Sequence, residues 1–234
     1  MLNKIKIFYD GSSVAEYCNF ANVVGVTTNI SFLKKAGIKD YKSFAKSTIP
    51  LMGGRPISFQ VFDPSDVERQ AREITSWGEN VYVKIPVVYP NGKSAVPLIK
   101  KLSEEGLKIN ITCVYTKEQI DEICSHNIDS TLIVSIFCGR INDTGTNALD
   151  IMSYANDKFK DCSNIETLWA GCQRVRDIID AEECGTDIIT VPESVLKKIV
   201  RVGRDIHNFS VITSVDFFND GAEMYIGEWN ENCL

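Results

Sequence analysis

Lys84 stands inside Val81-Tyr82-Val83-Lys84-Ile85-Pro86-Val87, an otherwise apolar run of strand-forming residues. An amine carried into low dielectric loses the solvation of its charged form, so its pKa falls and a nucleophilic neutral fraction is present near pH 7. That is the condition for Schiff-base chemistry. The other reading is an edge-strand lysine whose stem covers apolar surface while its head stays in water. Competing chemistries are poorly supplied. The two histidines, His126 and His207, have no cysteine or carboxylate partner at metal-ligand spacing, so no metal is expected. The eight cysteines are scattered without a C-x-x-C pair and read as reduced, largely buried thiols. Neither G-x-G-x-x-G nor G-x-x-x-x-G-K-[ST] occurs, and no cofactor is expected.

The elements that must position the lysine follow from composition and periodicity. A chain of 234 residues with 44% hydrophobic content suits one large core, and a single domain over 1–234 is the expectation. The net charge of −6 comes from interspersed acids and bases, which speaks against nucleic acid or an anionic membrane as partner. No apolar run reaches membrane-spanning length, and the N-terminus runs straight into a strand, so a cytoplasmic location is expected. Strands are predicted at 5–9, 23–27, 56–61, 80–86, 108–114, 130–137, 165–170 and 187–191. Amphipathic helical segments such as 66–77, 92–104, 117–125, 147–159, 174–183 and 193–200 lie between them. Eight such β/α units closing on themselves form a TIM barrel, with an additional C-terminal helix at about 213–229.

Polar residues gather at the C-terminal ends of these strands. Asp10 closes the first, Thr28 and Asn29 the second and Gln60 the third, while Lys84 lies near the end of the fourth, Thr112 ends the fifth and Arg140 follows the sixth. Those ends form the rim where barrels of this type build active sites. A doubly wound sheet would gather ligands at one switch point rather than from nearly every strand. Each residue also has a plainer reading: Asp10 as an N-cap, Thr112 as a β-former, Asn29 as a turn residue.

Tyr9-Asp10-Gly11-Ser12, Gly25-Val26-Thr27-Thr28-Asn29, Val83-Lys84-Ile85-Pro86-Val87, Asn110-Ile111-Thr112-Cys113-Val114-Tyr115 and Gly139-Arg140-Ile141 resemble successive motifs of the transaldolase family. The likeness is to its short bacterial transaldolases and fructose-6-phosphate aldolases, and it runs in order along the whole chain. It implies a class I mechanism in which Lys84 attacks the ketone of a dihydroxyacetone-bearing donor. It further implies Asp10 as the base for the C4 hydroxyl, and Gln60 and Thr112 as holders of a proton-relaying water. Asn29 and Thr28 would contact the donor sugar, and Arg140 would grip the acceptor phosphate. The partners implied are a sugar or sugar phosphate and other copies of the chain, as a pentamer or decamer in which the final helix, with Phe217, Phe218, Met224, Tyr225 and Trp229, packs on a neighbour. Packing of that helix on its own barrel is the alternative.

The departures bear on the reaction. Gln60 is the amide of the aldolases where transaldolases carry glutamate, whereas Phe137 is the transaldolase residue where the aldolases place a tyrosine. The two markers disagree, and the reading leans to transfer over simple cleavage. After the seventh strand the family's A-S-F-[RK] reads Ala170-Gly171-Cys172-Gln173, so a serine hydroxyl and a cation are missing. Arg174 or Arg176 could substitute, and Trp169 beside Gly171 would favour a different or larger acceptor. Ile30 replaces the proline that usually follows G-V-T-T-N. Two other readings remain: a sugar-binding barrel with little turnover, and a deoxyribose-phosphate type of aldolase, which would place its lysine on the sixth strand.

Overall fold

Eight parallel strands pair in sequence order and close into a barrel: β1 Lys6–Asp10, β2 Val23–Thr27, β3 Ile57–Gln60, β4 Val81–Pro86, β5 Ile109–Val114, β6 Leu132–Ile136, β7 Ile165–Trp169 and β8 Ile188–Val191. The computed structural model describes residues 4–20, 22–128, 130–222 and 224. Every strand expected from the sequence is present within a residue or two at its ends. Around them run α1 Val14–Tyr17, α2 Ile30–Lys35, α3 Tyr41–Thr48, α4 Val67–Thr75, α5 Val96–Glu104, α6 Lys117–Ser125, α7 Cys138–Asp143, α8 Ala148–Phe159, α9 Val175–Glu183 and α10 Glu193–Leu196.

The helices bury one face by the 3.6-residue period. In α4, Val67, Gln70, Ala71 and Ile74 are buried while Glu68, Arg69 and Arg72 face out. Capping fixes several starts: Asn29 accepts from the backbone of Phe32 at α2, and Thr116 and Gln119 form a capping box at α6. The helix expected at 193–200 is shorter, because α10 ends at Leu196 and a 3-10 turn, Ile199–Arg201, follows.

Two compact units divide at Lys198. The second unit carries α11, Ile206–Gly221, which starts earlier than the expected 213–229 and contains no buried residue. Apolar residues face outward around it, with Ile206, Val211, Ile212, Val215, Phe217 and Phe218 all exposed. Tyr225 and Trp229 lie outside the described residues. Among the described residues no helix is long and apolar enough to cross a membrane.

Strand register decides which side chains share the lumen, since paired residues of parallel neighbours point the same way. Phe8, Tyr82, Ile133, Leu168, Ala170 and Ile188 form the inner apolar cluster. Toward the C-terminal ends the inward residues turn polar. Asp10 pairs with Thr27 and Thr27 with Ser58; Gln60 pairs with Lys84 and Lys84 with Asn110.

Candidate active site

Lys84 is 4% exposed, and its amine lies 5.9 Å from the centre of the Phe137 ring. Burial lowers its pKa below the ordinary lysine range, and attraction to Asp10 and, more weakly, Cys113 opposes that shift. Among the described residues Lys84 makes no ion pair. Asp10, at the end of β1, shows the mirror-image effect. Desolvation raises its carboxyl above the usual range, while Lys84 and a hydrogen bond from Thr27 pull it back. The barrel therefore brings an amine and a carboxylate from β4 and β1 into one another's field.

Thr27 holds that carboxylate. Its hydroxyl donates to Asp10 Oδ1 at 2.9 Å and lies 2.5 Å from the hydroxyl of Thr190 on β8. A hydroxyl has one proton, so with Thr27 committed to Asp10 the donor at the second contact is Thr190. The chain Thr190 to Thr27 to Asp10 points its donors at the carboxylate. Thr28, just past β2, is fully buried, and its hydroxyl donates to the carbonyl of Ser58 at 2.9 Å. Strand alternation turns its neighbour Thr27 inward.

A second polar array lies beside the lysine. Asn110 Nδ2 donates to Ser58 Oγ at 3.1 Å, and Ser135 Oγ donates to Asn110 Oδ1 at 2.7 Å, all three residues being fully buried. Sequence reading passed over Asn110, Ser58 and Ser135 as ordinary strand residues. Their signal was the register: Asn110 sits opposite Lys84 on the next strand. Thr112 is also inward and buried, and its hydroxyl has no partner among the described residues. An unpaired buried hydroxyl is costly to leave unused, and here it can both donate and accept.

Gln60 joins the same face, its main-chain carbonyl accepting from Tyr41 at 3.1 Å. Asn29 is partly exposed, with Oδ1 engaged by the Phe32 amide at 3.0 Å, which leaves its Nδ2 donors for the mouth. Cys113, not singled out from sequence, has φ of 60° where β5 shifts register against β6. Burial raises its thiol pKa, while Lys84 and Arg140 oppose that rise. Phe137 stacks on Tyr115 with centroids 5.5 Å apart.

The rim after β6 and β7 is organised differently from the sequence expectation. Arg140 on α7 is exposed and unpaired among the described residues. Trp169 does not reach the mouth. Leu168 belongs to the inner cluster, so alternation turns Trp169 outward against the helices, 1% exposed. Gly171 has φ of 77°, and its carbonyl lies 1.9 Å from where a Cβ on Gly139 would stand, so this backbone contact between the two loops requires glycine at 139. Arg174 and Arg176 turn to Asp177 and Asp180 at 3.0 and 2.6 Å. No cluster of His, Cys, Asp and Glu able to hold a metal occurs among the described residues.

The Thr27 bond yields a test. It favours ionised Asp10, so Thr27→Val should raise the Asp10 pKa. The acid limb of any activity that needs the carboxylate should then move to higher pH, with Thr27→Ser restoring it. A pH profile of kcat for carbon–carbon cleavage checks this, and an unmoved limb would remove Thr27 from the role.

The comparisons with known proteins agree on family and fold. The family model for transaldolase/fructose-6-phosphate aldolase matches residues 7–225. A probable transaldolase of Methanococcus maripaludis is 30% identical over 232 residues, covering 96% of this chain and 97% of the relative. One of Clostridium acetobutylicum is 30% identical over 234 residues, covering 97% and 98%. Among solved structures, KGPDC from Streptococcus mutans superposes with a TM-score of 0.58 at 10% identity, covering 83% of this chain and 91% of that one. The 3-hexulose-6-phosphate synthase from Salmonella typhimurium gives 0.56 at 14%, covering 80% and 89%. At such identities the likeness is one of fold. A lumen that pairs Lys84 with Asp10 thus sits in a chain that belongs to the transaldolase/fructose-6-phosphate aldolase family.

Proposed function

We propose that this enzyme moves a dihydroxyacetone unit from a ketose donor to an aldose acceptor through a Schiff base on Lys84. The observation that carries the reading is a buried lysine with a lowered pKa in the field of a single carboxylate. In this reading the neutral Lys84 amine attacks the ketone carbon, and the resulting carbinolamine loses water to form an iminium. Ionised Asp10 takes the proton of the C4 hydroxyl. The C3–C4 bond breaks, its electron pair passes into the iminium as an enamine, and the first aldehyde leaves. The enamine carbon then attacks the acceptor aldehyde, Asp10 returns its proton to the new alkoxide, and water releases the ketose.

In this reading the Thr112 hydroxyl and the Gln60 amide hold the water that enters and leaves the imine. On the same reading Asn29 Nδ2 offers a hydrogen bond to the polyhydroxy donor, while Asn110 and Ser135 stay bonded to one another beneath it. Arg140 supplies a cation at the mouth.

Incubation with dihydroxyacetone or a ketose and borohydride should leave a three-carbon adduct on Lys84 alone, read by mass spectrometry. Lys84→Arg should abolish turnover with folding intact, since arginine stays charged. An adduct on a different lysine, or none with any ketose, would defeat the assignment and favour a barrel that only binds sugar.

Transfer is favoured over release because Phe137 presents an apolar ring, stacked on Tyr115, toward the amine. A phenol there would give the hydrolytic water another partner. Phe137→Tyr should therefore raise free dihydroxyacetone relative to transferred product. An unchanged ratio would mean that residue 137 does not set reaction type.

The same reading includes self-association. The exposed apolar surface of α11, with Val211, Ile212, Val215, Phe217 and Phe218, suits burial against a second copy of this chain. Light scattering should report a multiple of the 26.2 kDa chain mass, and Val215→Lys should lower it. A monomer at micromolar concentration would refute this part.

A further inference from the structure

The side chains of α7, of the loop after β7 and of α9 hold one another's charges. Asp177 is buried, and its Oδ2 accepts from the backbone amides of Gln173 and Arg174 at 2.8 and 3.0 Å. Those amides open α9 and would otherwise meet an incoming anion. The Arg174 guanidinium donates to the other oxygen of the same carboxylate at 3.0 and 3.2 Å. Arg176 is shared between Asp180 and Glu183 at 2.6 and 2.8 Å. Gln173, neutral itself, reaches across to Asp143 Oδ1 at 3.3 Å. Asp143 ends α7, three residues beyond Arg140, and puts a negative charge on the same short helix.

One cation is left over. Arg140 has no ion pair among the described residues, and its charge is felt at Cys113 and Tyr115, of which Cys113 in turn feels Lys84. Taken together, Arg140, Asp143, Gln173, Arg174 and Asp177 carry no net charge. A phosphate monoester carries about −1.5 to −2 near neutral pH. At this rim its first charge would meet Arg140 and its second would meet Asp143 and an amide already engaged. At this exposed rim the second charge finds no free cation among the described residues and meets the like charge of Asp143.

We infer that the substrate end group this rim accepts bears at most one negative charge, a free hydroxyl or a singly charged acid, and that Gln173 is the residue that sets this selectivity. The inference rests on the reading that the mouth receives a sugar chain, and its test separates the two. Transfer rates with glyceraldehyde and glyceraldehyde 3-phosphate as acceptors give a ratio of kcat/KM values. Binding of an unreactive pentitol and its 5-phosphate, measured by calorimetry, gives the same ratio without any chemistry. For the wild type at pH 7.5 the phosphate should add less than tenfold in either measurement. The advantage should grow as pH falls toward 5.5 and the monoester takes up its second proton, because the group then carries a single charge.

Gln173→Arg should raise the phosphate ratio at pH 7.5 by tenfold or more. Arg176→Gln should leave the ratio unchanged, since that guanidinium lies outside the counted rim and already serves Asp180 and Glu183. A wild-type preference for the phosphate of a hundredfold, or an unchanged ratio in Gln173→Arg, would overturn the inference. If the borohydride adduct on Lys84 fails to form, the Schiff-base reading falls, while the pentitol ratio still decides the charge selectivity.

Discussion

The opposition between Lys84 and Asp10 is the constraint around which the barrel is arranged. Burial pushes each toward its neutral form, and their mutual attraction pushes each back toward charge. Lys84 binds its proton less tightly folded than unfolded, so its penalty is full below its lowered pKa and fades as pH rises toward the ordinary lysine range. Asp10 binds its proton more tightly when folded, so its penalty grows as pH rises from the ordinary carboxylate range through its raised value. At neutral pH both penalties coexist. The site is thus a place where the fold gives up stability, and the apolar floor of Phe8, Tyr82, Ile133, Leu168 and Ile188 offsets it.

The polar shell follows from that constraint. A carboxylate kept out of water needs donors, and Thr27, backed by Thr190, supplies them from the strands on either side of β1. Ser58, Asn110 and Ser135 satisfy one another across three strands, so the lumen beside Lys84 is polar without holding another charge that would compete for the amine. Nothing in that array has to reorganise for the amine to lose its proton.

Much of this was legible in the sequence, for a physical reason. Chemistry that needs a desolvated amine must sit on an inward strand position, and such a position has apolar neighbours, so Lys84 stands out against Val81-Tyr82-Val83 and Ile85. Strands buried on both faces are continuous apolar runs, which made all eight visible. The choice between Thr27 and Thr28 was not visible, because adjacent threonines have the same β-propensity and only the pleat tells them apart. The burial of Trp169 was hidden for the same reason: proximity along the chain to Gly171 says nothing about which face of β7 a side chain occupies. The short helices α2, α3 and α7 also escaped notice, since six to eight residues give too few turns for a period to emerge.

Specificity is harder to read than chemistry because it lives on loops, where pairing rather than spacing decides what a side chain can do. Arg140, Arg174 and Arg176 are alike as letters. Three-dimensional contacts make one of them an open cation and commit the other two to Asp177, Asp180 and Glu183. The contact between Gly139 and the Gly171 carbonyl has the same character, since it brings α7 and the loop after β7 together and so sets where Arg140, Asp143 and Gln173 meet. A serine at 171 would have to adopt a positive φ to keep that path, a conformation that costs a side-chain-bearing residue on the order of 1–2 kcal/mol. Gly171 and Gln173 thus lie on one loop that meets α7 twice, through the close approach to Gly139 and through the bond from Gln173 to Asp143.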